Sequence, residues 1–203
     1  MLNEPHYFIG EVEYSYSYES DILNNDSLKA VKPFLSIFRF DLHNYQSRFI
    51  GQDTLTYYYS GKLNKCLSEK NDSRNYDCED YGSAEDSVLS FRLSDTDEIL
   101  FGQECQVLEF QTPHFNTRYF VSKEKHIAPE TYRKHLSYNW SFYGEQCNGG
   151  LILKLEHQFK SYKMTGTATR VSEKTADFQA LEVFESTILA MCNGSRHATN
   201  SGQ

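Results

Sequence analysis

Between Glu11 and Glu19 polar and apolar residues alternate without a break, with Val12, Tyr14, Tyr16 and Tyr18 on one side and Glu11, Glu13, Ser15, Ser17 and Glu19 on the other. A period of two is that of a strand with one wet face. Asn25, Asp26 and Ser27 then offer capping side chains ahead of Leu28, Val31, Phe34 and Leu35, which recur at helical spacing. This predicts a short amphipathic helix whose second half is disturbed by Pro33. Runs of aromatic and β-branched residues at 37–50, 55–63, 87–93, 106–111 and 117–121 are separated by polar turns and suggest an antiparallel meander. Within them, Tyr57, Tyr58 and Tyr59 must point to alternate faces, so at most two share a side, and core packing explains them. Pro129 opens a second short helix with Tyr132, His135 and Leu136 on one face. Two strands follow: one presents Leu151, Leu153, Leu155, His157 and Phe159 on a common face, and the other, 164–171, is built on alternating threonines. Residues 181–192 are apolar enough to pack, but their spacing fits helix and strand equally.

These elements predict a mainly β (α+β) fold: a large curved antiparallel sheet forming an unclosed β-barrel around one to three short helices. Such a sheet must curl to bury its apolar face, and an aromatic concave face leaves room for an apolar ligand. The 203 residues suit one domain, expected over residues 1–192, with 193–203 as a disordered polar tail. The excess of 15 Tyr and 14 Phe over a single Trp favours sheet over helix bundle. With 20 Lys and Arg against 28 Asp and Glu, a net charge of -8 provides no broad cationic surface, which argues against nucleic acid as a partner. No run approaches the roughly 18 apolar residues of a transmembrane helix.

The chemistry-bearing residues add little. Cys66 and Cys78 lie equidistant from Asp72, so a hairpin turning there would set them opposite each other; they are the candidate disulfide, the alternative being two reduced thiols. The acidic group Asp77, Glu79, Asp80, Glu85 and Asp86 lacks the alternation and glycine of a calcium loop and reads as a solvated loop. No two of the seven histidines have zincin spacing. Cys147-Asn148-Gly149-Gly150-Leu151 resembles a string of papain-like cysteine proteases, but their nucleophile motif is missing, and Asn148-Gly149-Gly150 reads as a turn before a strand. No catalytic residue, metal site or cofactor is expected. The amino terminus, Met1 to His6, lacks the basic and apolar segments of a secretory signal, so the protein is either cytosolic or has lost its signal.

One stretch resembles a known group. Ile99-Leu100-Phe101-Gly102-Gln103-Glu104-Cys105, then Leu108-Glu109-Phe110 and Arg118-Tyr119-Phe120-Val121, is similar to the pattern of the GLPGLI-like secreted family of Bacteroidetes-type bacteria. Gly149-Gly150-Leu151-Ile152-Leu153 occupies the place of that family's Leu-Pro-Gly-Leu-Ile string. The resemblance, over about residues 88–171, implies a half-barrel like that of the bacterial lipoprotein carriers and no catalytic residues. It also implies export to the periplasm or cell exterior, with the signal removed. The function this suggests is non-catalytic: a lipid or other apolar small molecule held in the concave face, or docking to an envelope protein. The alternatives are a structural envelope module with a filled core and an enzyme of unrecognised type.

Overall fold

The early alternation becomes β1 (Gly10–Glu19), the first of eleven strands that the described residues form in one antiparallel, unclosed sheet. The structure is a computed structural model that describes residues 6–83, 86–173 and 184–194. One meander runs outward from β1 through β2 (Leu35–Phe40), β3 (Asn44–Ile50), β4 (Thr54–Ser60), β5 (Lys65–Lys70) and β6 (Tyr76–Asp80). A second runs inward from β7 (Ser90–Leu100) through β8 (Gln103–Gln111), β9 (Phe115–His126) and β10 (Gly150–Phe159) to β11 (Lys163–Glu173). The meanders join where β1 pairs with β11, Gly10 opposite Glu173 and Glu19 opposite Lys163. The mainly β, unclosed architecture is therefore the one the hydrophobic pattern predicts.

Helix α1 (Asn25–Val31) begins one residue earlier than its capping signal suggests: the Asn24 carboxamide accepts from the backbone N–H groups of Asp26 and Ser27. Pro33 ends it, so Phe34 falls outside and Leu35 starts β2. The prolyl start at Pro129 yields only a 3-10 turn, Pro129–Tyr132. The described residues form two further helices, α2 (Trp140–Gln146) and α3 (Phe184–Gly194); α3 settles residues 184–192 of the ambiguous segment as helix and takes Asn193 and Gly194 out of the expected tail, while 181–183 lie outside the described residues. Residues 195–203 lie outside the described residues. Among the described residues no helix is long and apolar enough to cross a membrane.

The pairing of Cys66 with Cys78 is corrected. In the β5–β6 ladder Cys66 stands opposite Glu79 and Leu67 opposite Cys78, one residue away from the register that a turn centred on Asp72 would give. A one-residue change of register moves a side chain to the other face of the sheet. Cys66 is accordingly a free, buried thiol on the concave side, beside Tyr59 and Tyr81. Cys78 points to the convex side, where it is bonded to Cys192 of α3. There Ile188 of α3 packs on Tyr58 and Leu67, which are cross-strand partners.

Elsewhere the convex face is polar and internally neutralised. Glu11 is buried between Arg39, at 2.8 Å, and Arg170, at 2.6 Å. Burial would raise the Glu156 carboxyl, but Lys163, Arg118 and Lys154 around it hold it below the usual carboxylate range. On β1 the apolar alternates turn to the concave side, whereas Phe120 of β9 stays on the convex side, beneath Arg118 and Lys154 at 5.2 and 4.3 Å from its ring centroid.

Candidate functional site

On β1 the concave side chains are Val12, Tyr14, Tyr16 and Tyr18, and β2, β3 and β4 add Phe38, Phe40, Tyr45, Phe49, Tyr57 and Tyr59 in register. Cross-strand aromatic pairs of this kind stabilise a sheet, and here they form one sheet-wide layer. Gly166 of β11 makes space for it: a Cβ there would lie 2.7 Å from the Tyr16 ring. The triple tyrosine divides as strand geometry requires, with Tyr57 and Tyr59 concave and Tyr58 under α3.

The connection from β9 to β10, residues 127–149, folds back across one end of this face. It closes that end with an aromatic stack. Trp140 lies on Tyr45 at 5.1 Å between centroids, and His135 lies 4.6 Å from Tyr59 and 4.5 Å from Tyr81. His135 is fully buried, its Nε2 is 2.9 Å from the Tyr45 hydroxyl, and burial pulls its pKa down to about 3, so the ring is neutral at physiological pH. The turn back into β10 uses Gly149 at φ +68°, where a Cβ would stand 2.3 Å from the Ile127 carbonyl oxygen, so the Asn148-Gly149-Gly150 turn is a packing requirement.

The layer and its plug leave a cavity of about 540 Å³. Its inner wall includes Phe38, Tyr119, Leu151 and Ile152; its other end is bounded by Leu55, Phe115, Phe159 and Tyr162, which are half-buried or exposed. Among the described residues Lys32 is the only charged side chain on its lining, placed over the Tyr162 ring at 5.1 Å. Burial raises the Tyr14, Tyr16, Tyr18 and Tyr119 phenols, Tyr16 to about 12, so all stay protonated. His157 is pulled down to about 4 by burial and bonds Thr117 through Nδ1 at 2.8 Å.

The other sequence candidates do not converge. Asp80 pairs with Lys65, Glu79 accepts from Ser68, and Asp86 contacts His114 far along the chain; Glu85 lies outside the described residues. Cys147 is a buried thiol raised to about 12 by its surroundings. Among the described residues no three His, Cys, Asp or Glu side chains gather in a metal-binding group. Sequence reasoning places Tyr132 and His135 of the plug on one helix face but misses α2, where Trp140, Tyr143 and Cys147 recur at helical spacing.

No protein-family model and no curated protein matches the chain. Among solved structures, PNGF-II in its C2 crystal form aligns with a TM-score of 0.48 and 13% identity over 88% of this chain and 32% of that one. PNGF-II in its P21 form aligns with a TM-score of 0.45 and 14% identity over the same shares. This chain thus spans about a third of the length of the PNGF-II chain it resembles.

Proposed function

We propose that the protein holds an apolar small molecule, such as a lipid or acyl chain, in its half-barrel without transforming it. The cavity carries this reading. Its volume of about 540 Å³ falls within the ~300–1,000 Å³ of small-molecule sites, and its wall is hydrocarbon and aromatic ring with protonated phenols. A purely structural module would close such a face by side-chain packing. Location in an oxidising compartment, the periplasm or cell exterior, is supported by the Cys78–Cys192 bond and agrees with the secreted-family resemblance. Docking to an envelope protein is the second reading, favoured by Leu89, Phe91 and Leu93, which are exposed along the β7 edge.

Ser47, at the centre of β3, lines the cavity and is the natural place to fill it. Uptake of Nile red, a neutral apolar dye, is expected in the wild type and lost in Ser47→Trp, with native mass spectrometry showing a bound apolar species only in the wild type. Equal uptake by both proteins, or none by the wild type, would overturn the proposal.

A further inference from the structure

The phenols of the concave wall are nearly all engaged within the protein. Tyr14 donates to the Ile152 carbonyl at 2.6 Å and Tyr18 to that of Pro33 at 2.6 Å, and Tyr143 donates to that of Gly150. Tyr16 meets Ser36 at 2.8 Å and Tyr45 meets His135 at 2.9 Å. Tyr119 is different. It is 8% exposed, lines the cavity, and among the described residues its hydroxyl has no hydrogen-bond partner. Tyr57 and Tyr162 also lack one, but they are only half-buried.

Beside Tyr119, on β10, stands His157, with ring centroids 5.7 Å apart at 86°. Its Nδ1 is taken by Thr117, and its Nε2 has no partner among the described residues. The Tyr119 hydroxyl and the half-buried His157 Nε2 are therefore two neighbouring polar atoms on the wall of one cavity that the described residues leave open to a ligand. Both lie about midway between rim and plug: Thr117, opposite His157, is two residues along β9 from Phe115 at the rim.

We propose that the ligand is an uncharged, largely hydrocarbon molecule with one hydrogen-bonding oxygen, seated at Tyr119 and His157; this rests on the ligand-binding reading above. The phenol gives and accepts one hydrogen bond, and Nε2 supplies a donor or an acceptor according to the tautomer fixed by Thr117. A hydroxyl group satisfies both. A carboxylate drawn to the same place would be buried with no counter-ion among the described residues, since Lys32, the only cation they place on the lining, is at the rim.

The test uses displacement of Nile red by dodecane, dodecanol and dodecanoate, three chains of equal length delivered from cyclodextrin. Dodecanol is expected to compete best. Tyr119→Phe, which removes a single oxygen, is expected to weaken dodecanol by about tenfold, leave Nile red and dodecane unchanged, and not lower the melting temperature of the empty protein. An unchanged dodecanol affinity in Tyr119→Phe would overturn the proposal, as would a lowered melting temperature, which assigns the hydroxyl a structural water. So would preference for dodecanoate that disappears in Lys32→Gln, because the head group would then sit at the rim. These results are distinct from failure of the underlying reading, in which wild type takes up no Nile red at all.

Discussion

Replacing Cys192 by serine removes the bond that joins the convex side of β6 to α3. With a sequence separation of 114, closing the loop removes chain entropy from the unfolded state equivalent to about 5 kcal/mol at 25 °C. In a chain that unfolds as one unit, such a loss would lower the melting temperature by roughly 10 °C or more. The contacts of α3 argue for a different outcome. Among its described side chains Ile188 is the one fully buried, a burial that contributes about 2–3 kcal/mol. An isolated helix shorter than ~12–15 residues is marginal in water, so α3 depends on docking to exist. We therefore expect Cys192→Ser to release the helix while the sheet stays folded. Hydrogen exchange read by mass spectrometry would show peptides within 184–194 approaching unfolded rates, while β1 and β8–β11 keep their protection. Tyr58 and Leu67 would become exposed, raising the binding of a surface dye, and the global midpoint would fall by less than the full ~5 kcal/mol. Native protection of α3 in the serine variant would refute this reasoning, because it would mean that packing alone holds the helix.

Tyr14→Phe deletes the 2.6 Å bond to the Ile152 carbonyl and leaves that acceptor unmet, so a loss of about 1–2 kcal/mol is expected in urea unfolding, whereas Tyr119→Phe, with no bond to lose, should be neutral. Two histidines, the buried His135 and the half-buried His157, set an acid limit. His135, at about 3, and His157, at about 4, lie below the unfolded value of ~6.5, so between these limits the unfolded chain binds more protons than the native one. Stability is then full above about pH 6.5 and falls on acidification by up to ~1.4 kcal/mol per pH unit for each histidine. Urea midpoints measured from pH 7.5 to 4.5 should show this slope, and His135→Phe should reduce it by about half; an unchanged slope would exclude His135 as its source.

The curved sheet was legible because β1 and its neighbours are amphipathic at period two, which burial enforces residue by residue. The disulfide was not. Symmetry about Asp72 fixes a turn only to within a residue, and Tyr76-Asp77-Cys78-Glu79-Asp80 carries no hydrophobic alternation to correct the register. Cys192 lay in a segment whose spacing suits both helix and strand, so its position over Leu67 had no local signal. Sequence reading anticipated an apolar concave space but could not give its size or its lining, for another reason. Alternation identifies which face is apolar, but whether rings from opposite strands meet or leave a gap depends on sheet curvature and on how far the Trp140 plug reaches. Likewise Tyr119 reads like Tyr14 in sequence; only the absence of a facing carbonyl distinguishes them.

The order of the strands bears on how the molecule comes into being. Each ladder except one joins strands that follow one another in the chain; the exception, β1 with β11, sits at the middle of the sheet. During synthesis β1–β6 can zip as a nascent unit, and β7–β10 after it, yet the inner edge of β1 waits for the last strand to emerge. Until then the apolar rings of both wings face solvent, and strand edges that are later internal stay open to foreign chains. Formation of the sheet should therefore wait on one late, long-range pairing, and its slow step should respond to changes along the Gly10–Glu19 ladder and hardly at all to changes at the two outer edges.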